Sequence, residues 1–240
     1  MRTGSPTMVA SECGTVKYLN GLRNRMDTPL ASHAVAKADS PAHAEHLQRL
    51  LGGMALAVAA RGYADATIAD IVREASVSRR TFYEHFATKA DCLIALFEAA
   101  SLRALGVLRD ALDPTQPWQR QVERALQAYF ASMAQNPVLL RTLYIEILGL
   151  GTPGLAARRR VNLAIGDFIL EVVNGPSATT ARLSPAMAQA VVGGINELVL
   201  QAIEQGRQAD LLELVAPASA LVRAVAGVPH AAPAMPACQA

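Results

Sequence analysis

Four consecutive residues, Ser78-Arg79-Arg80-Thr81, set two guanidinium groups between two hydroxyls. Such a run of donors suits the edges of base pairs. Arginine meets guanine O6 and N7 through two parallel bonds, a pairing worth roughly 1–3 kcal/mol of discrimination, and threonine meets an adenine edge or a thymine methyl. Tyr83 and His85 flank the stripe Phe82–Phe86 and are placed to donate to phosphates on either side. Thr67 and Lys89 sit at the starts of predicted helices, where free N–H groups and the helix dipole favour anions. From Ser76 to Lys89 three positive side chains (Arg79, Arg80, Lys89) face one negative (Glu84), a small electrostatic patch in the right place.

Donors of this kind need a rigid support. Two short predicted helices, 68–75 and 79–86, flank the connection Ala75-Ser-Val-Ser78. Ile68, Ile71, Val72, Val77, Phe82 and Phe86 can face inward, and a longer helix over 41–61 supplies the remaining wall through Leu47, Leu50, Leu51, Met54 and Val58. Three helices about a small core, with a tight turn between the last two, is helix-turn-helix geometry, in which the second helix enters a major groove by its N-terminal residues.

The segment Gly62-Tyr63, Thr67-Ile68, Asp70-Ile71, Ala75-Ser76-Val77-Ser78, Thr81-Phe82-Tyr83-Glu84-His85-Phe86 and Lys89 resembles the TetR family of transcriptional regulators. The resemblance covers about residues 45–95. It implies an all-α fold: three helices that bind DNA, joined by a fourth to a helical ligand-binding and dimerising domain. It also places Thr67, Ser78, Arg79, Arg80, Thr81, Tyr83, His85 and Lys89 on the family's DNA-contacting positions. Two features depart from the pattern. Ser76 stands where the family usually has glycine, so the turn is either mildly strained or avoids positive φ. Glu84 faces outward, where it either pairs with Arg80 one turn earlier or accepts from a cytosine N4 group.

Helix-start signals recur along the chain. Ser40-Pro41, Asn136-Pro137, Thr152-Pro153 and Ser184-Pro185 each put a capping side chain before a proline, and Thr67–Asp70 and Thr88–Asp91 fit the capping box. Gly62, Gly175, Gly206 and Gly227 stand where helices can stop. The expected fold is all-α with about nine helices, the later ones over 89–111, 118–135, 137–148, 154–174, 185–205 and 208–226. Pro217 is expected to bend the last of them. The expected domains are a flexible arm (1–40), a helix-turn-helix domain (41–88), a ligand-binding and dimerisation domain (89–227) and a tail (228–240), with Met26 an alternative start.

Within the third segment, Trp118, Tyr129, Phe130, Met133, Leu140, Tyr144 and Phe168 bring apolar surface with a few polar tips, the make-up of a small-molecule pocket as well as of an ordinary core. The last two helices are apolar around much of their circumference, which calls for burial on two sides. Val191, Ile195, Leu198, Leu211, Leu214 and Leu221 are therefore candidates for a two-fold four-helix bundle, and Gly193-Gly194 for its close approach.

Composition narrows the alternatives. The 240 residues carry a net charge of only +2, so a nucleic-acid contact must be local rather than chain-wide. Three cysteines, Cys13, Cys92 and Cys238, point to a reducing cytoplasm rather than a disulfide framework. No apolar stretch without an acidic residue is long enough to span a bilayer, and no membrane partner is expected. His43 and His46, three apart on a helix, are two potential metal ligands lacking an evident third. Arg158-Arg159-Arg160 reads as a solvated face. There is no nucleophile elbow, phosphate loop or metallopeptidase motif, so neither enzyme activity nor a cofactor is expected. The expected function is a homodimeric repressor, released from a palindromic double-stranded DNA operator by a small, largely apolar effector. A DNA-binding protein without effector, and an activator, remain the alternatives.

Overall fold

The structure, a computed structural model, describes residues 41–175 and 182–227. The expected N-terminal arm, C-terminal tail, alternative start, Ser40 cap, Cys13 and Cys238 lie outside these residues. Among the described residues the chain is all-helical, as the sequence requires. It runs α1 (Pro41–Asp65), α2 (Ile68–Ala75), α3 (Arg79–His85), α4 (Lys89–Asp110), α5 (Trp118–Ala134), α6 (Pro137–Tyr144), α7 (Thr152–Asn174), α8 (Pro185–Glu204) and α9 (Val215–Gly227). Short 3-10 segments occupy Glu146–Leu150 and Gln208–Leu214.

Local chemistry accounts for most of these boundaries. Thr67 caps α2 by accepting from the Asp70 N–H, while the Asp70 carboxylate accepts from the Thr67 N–H at 3.0 Å. Thr88 and Asp91 repeat this exchange at α4. Asn136 and Ser184 cap α6 and α8 ahead of a proline. At Gly62 the backbone has φ 76° and ψ 162°, a region essentially restricted to glycine, and there the regular part of α1 ends.

Two boundaries differ from expectation. The helix expected over 137–148 stops at Tyr144 and continues as a 3-10 turn. Gly154 packs so tightly on that turn that a Cβ would lie 2.0 Å from the Ile147 carbonyl oxygen. The last helix starts at Val215 rather than 208, which puts Pro217 in its first turn instead of at a bend. Proline is tolerated there because a first-turn N–H has no partner to lose.

The chain forms two compact units. In the first, residues 41–106 and 132–161, Leu50, Met54, Ile71, Phe82, Leu93 and Leu96 form a core with no more than 0% exposure each. Gly53 permits the α1–α2 crossing: a Cβ there would lie 2.5 Å from the Ile71 carbonyl oxygen and 2.8 Å from the Ala75 nitrogen. Leu139 of α6 joins the same core. The second unit comprises 107–131 with 162–175 and 182–227. Its buried residues include Phe130, Val173, Val191, Val199 and Leu211.

Among the described residues, helix α8 is long and apolar enough to cross a membrane by length and composition alone. Its apolar residues Ala188, Val191, Val192, Val199, Ala202 and Ile203 are instead buried within the unit.

Candidate nucleic-acid interface

Helix α3 is held from behind and capped in front. Phe82 is wholly buried and Phe86 nearly so, their rings 5.7 Å apart. At its N-terminus the Ser78 Oγ accepts from the Thr81 N–H at 3.0 Å, and the two hydroxyls lie 2.9 Å apart. The opposite face is left to solvent: Ser78, Arg79, Arg80, Tyr83 and Glu84 are exposed, and Thr81 is half-buried. Arg79 makes no ion pair among the described residues. Arg80 Nε donates to Glu84 Oε1 at 3.1 Å, which selects the first of the two partners open to Glu84 in the sequence. A surface pair of this spacing is worth about 0.3–0.5 kcal/mol, so it gives way readily to a stronger partner.

The turn before α3 carries a side chain that sequence reading passed over. Ser76 adopts the left-handed conformation, φ 52° and ψ 46°, so of the two conformations open to this position the strained one is found. Arg49 of α1 donates through Nε to the Ala75 carbonyl at 2.9 Å and through Nη2 to the Ser76 carbonyl. The Val77 N–H reaches the Val72 carbonyl at 3.0 Å, completing the cap. An arginine about two turns into a long helix carries no sequence signal for this role. Only the folded contact, 26 residues apart along the chain, reveals it.

Lys89, expected at a phosphate, has its ammonium engaged within the protein. Its Nζ donates to the carbonyls of Tyr63 (2.7 Å), Ala64 (3.3 Å) and Ala66 (2.8 Å), and sits 4.3 Å from the Tyr63 ring centroid. An ammonium has three protons, and these carbonyls take all three. The lysine therefore ties the start of α4 to the chain leaving α1. Burial first, then the Asp91 charge, raise the Tyr63 phenol above its ordinary value.

Thr67 is exposed, but its hydroxyl donates to Asp70 Oδ2 at 2.6 Å. Asp70 is itself held at a pKa of about 2 by the Thr67 hydroxyl and N–H, then by Arg73, with Arg61 adding attraction at 3.8 Å. A carboxylate thus already occupies the start of α2, where an anion was expected to dock.

His85 turns inward as well, half-buried against His43 and His46 of α1. Burial, then the two neighbouring imidazoles, lower its pKa, with Glu84 opposing. The two α1 histidines weighed as metal ligands thus gain a third imidazole nearby, yet no group of three with metal-binding geometry occurs among the described residues. Cys92 is wholly buried, and burial pushes its thiol far above its ordinary value. Arg158 is half-buried and Arg159 exposed, and Arg160 pairs with Glu98 at 3.0 Å, consistent with a solvated face.

In the second unit a cavity opens among residues of α4, α5, α7, α8 and α9. Of the expected pocket residues, Tyr129 and Phe168 line it. Phe130 is a buried core residue outside the lining, and half-buried Trp118 does not reach it. Met133, Leu140 and Tyr144 belong to the other unit. Leu108, Leu126, Ile165, Val192 and Asn196, not singled out for a pocket in the sequence, also line the cavity. Aliphatic positions in helices carry no mark that separates a cavity wall from a core.

The candidate pairing residues divide in the same way. Val191, Ile195, Leu211 and Leu214 are buried within the chain itself, and Ile195 lines the cavity. Leu198 and Leu221 alone remain half-exposed. A Cβ on Gly194 would lie 2.8 Å from the Leu221 Cδ2, so the glycine serves the α8–α9 contact inside the unit. The exposed positions of these helices include the small residues Ala186, Ala190 and Gly193 on α8 and Ala216, Ala220 and Ala224 on α9, alongside exposed Glu197, Gln201, Glu204 and Arg223.

The sequence pattern of the bacterial regulatory proteins, tetR family, matches residues 55–96, which contain α2, α3 and the start of α4. A curated relative, the uncharacterized HTH-type transcriptional regulator YxbF of Bacillus subtilis (strain 168), is 29% identical over 77 residues. That stretch is 32% of this chain and spans only a fifth (20%) of the relative's length. Among solved structures, the fatty acid degradation regulator FadR from Bacillus halodurans superposes with a TM-score of 0.66 at 20% identity, over 81% of this chain and 100% of that one. FadR from Bacillus subtilis, solved in complex with stearoyl-CoA, gives 0.62 at 17% identity, over 75% and 98%. Likeness at this identity concerns the fold. The matched segment is the one whose capped, solvent-facing α3 is described above, and over it the chain is similar to the tetR family of bacterial regulatory proteins.

Proposed function

We propose that this chain regulates transcription as a homodimer that lays α3 of each copy in the major groove of a palindromic operator. The observation that carries this reading is the outward face of α3, where Arg79, Arg80 and Thr81 project beside a capped N-terminus while Phe82 and Phe86 anchor the other side. Arg79 and Arg80 read base edges. Tyr83, with 56% of its surface exposed, donates to phosphate, as do Ser78 and Thr67 when their internal partners exchange. His85 and Lys89 act as supports. A two-fold axis sets the two helices about one DNA turn apart, roughly 34 Å. The small-residue faces of α8 and α9 are the surfaces that a second copy packs against.

The effector is a small, largely apolar molecule held in the cavity of the second unit. Helix α4 carries Lys89 in its first turn and cavity-lining Leu108 in its last, so it is the covalent lever between ligand and α3. The ligand shifts DNA affinity only by its differential affinity for the two conformations. Release on binding makes the protein a repressor, and the cytoplasm is its compartment.

Sequencing genomic DNA fragments captured by the purified protein tests the central claim. An inverted repeat should emerge, and Arg79→Ala should cost about 1–3 kcal/mol at that repeat while relaxing its consensus. Recovery of fragments without a common motif would refute sequence-specific binding.

A further inference from the structure

The cavity of the second unit is about 40 Å³ in volume, and the surface that faces it is apolar throughout. Among the described residues its wall includes no Asp, Glu, Lys, Arg or His, and aliphatic side chains such as Leu108, Leu126, Ile165 and Val192 form most of it. Two wall residues carry polar groups, Tyr129 and Asn196, and both present only carbon to the space. The Asn196 Nδ2 donates instead to Asn162 Oδ1 at 3.2 Å. The Tyr129 ring leans on Phe130, with centroids 5.5 Å apart.

Such a wall also excludes help from solvent. A buried water needs about two to four polar partners. This surface offers none, so no water bridges a polar guest to the protein. Size adds a second condition. An apolar cavity of about 150 Å³ holds benzene, so a guest of that size enters this smaller one only by moving the wall. Each movement breaks dispersion contacts between wall atoms, and a guest of carbon and hydrogen restores them in kind.

We infer that the cavity is a hydrocarbon site: it takes a compact molecule without oxygen, nitrogen or charge, a single ring or a short branched chain, and rejects the same molecule once it is hydroxylated or ionised. This deepens the proposed effector reading of the cavity and rests on it. A hydroxyl carried into the space leaves water and finds no partner. A carboxylate or ammonium loses more, because no counter-ion lies in the wall. The cavity thus separates a hydrocarbon from its own oxidation product.

Methyl-resolved NMR titration of the full chain with toluene, phenol and benzoate tests this. Toluene and phenol share one shape and differ in a methyl against a hydroxyl. At about pH 7.5 phenol is neutral and benzoate charged. Toluene should shift the methyl resonances of Ile165, Val192 and Ile195, phenol should bind about ten-fold more weakly or worse, and benzoate should not bind. Ala125→Val projects two further methyl groups from the wall and should weaken toluene about ten-fold. Leu126→Ala enlarges the space and should tighten toluene. Either variant suffices if it keeps the wild-type circular dichroism spectrum, and the toluene-to-phenol ratio of the wild-type chain needs neither. Phenol binding as tightly as toluene, shifts confined to methyl groups outside the wall, a toluene affinity unmoved in a folded variant, or no toluene binding up to its solubility would each overturn the inference. The effector reading fails separately. If toluene binds with the expected preference but leaves the captured operator complex intact in fluorescence anisotropy, the hydrocarbon site stands and control of DNA binding falls.

Discussion

The imidazole rings of His43 and His85 stack with centroids 4.0 Å apart and 28° between their planes, joining the first turn of α1 to the last turn of α3. His46 approaches His85 edge-on at 6.5 Å. Burial, then these two neighbours, lower the His85 pKa below its ordinary 6.5. The sign follows from proton counting: the unfolded chain binds a proton more readily than the native one, so stability is lost as pH falls through the ordinary histidine range. Melting temperature should be level above about pH 7 and fall toward pH 5, and His85→Gln should flatten that slope. An unchanged slope in the variant would assign the acid sensitivity elsewhere. Asp70 works in a separate window: with its pKa depressed from 3.8 to about 2, its contribution is lost only as pH falls below the ordinary carboxylate range.

Lys89 and the carbonyls of Tyr63, Ala64 and Ala66 form the second joint of the helix-turn-helix domain. Lys89→Met leaves those acceptors without a donor and should destabilise the protein by about 1–3 kcal/mol in urea denaturation. Lys89→Arg should not restore full stability, because a planar guanidinium does not converge on three carbonyls as an ammonium does. Wild-type stability for Lys89→Met, combined with weakened DNA binding, would return the residue to the phosphate role.

Two glycines make opposite predictions for the same substitution. Alanine at Gly53 meets backbone atoms of α2 at 2.5 and 2.8 Å. Backbone cannot step aside, so the clash, about 1–3 kcal/mol, outweighs the helix-propensity gain of about 1 kcal/mol. Alanine at exposed Gly193 meets nothing within 4 Å. If that face of α8 stays in water, Gly193→Ala should stabilise by about 0.5–1 kcal/mol. If a second copy packs there, the same change should weaken dimerisation in analytical ultracentrifugation, and this is the outcome expected here.

Glu84→Gln removes the carboxylate that holds Arg80 at 3.1 Å. Non-specific DNA affinity should rise, and log K against log salt should steepen by up to about one counterion, because a phosphate now competes with no internal anion. A slope unchanged from wild type would show that Arg80 does not reach the backbone.

The three-helix core, the caps at Thr67, Thr88, Asn136 and Ser184, and the outward donors of α3 were legible in the linear chain. Each depends on residues within about one helical turn of one another, where spacing alone dictates which side chains share a face. What decides the roles of Arg49, Lys89 and His85 is long-range: partners 23 to 27 residues away for Arg49 and Lys89, and a second helix for His85. Long cationic side chains look alike in sequence whether they meet a phosphate or a carbonyl. The same holds in the second unit. Val191, Ile195, Leu211 and Leu214 have the pattern of a pairing surface, yet the chain's own packing buries them. Apolar residues carry no directional chemistry to announce their partner, so periodicity determines that a helix face is buried, and only tertiary packing determines against what.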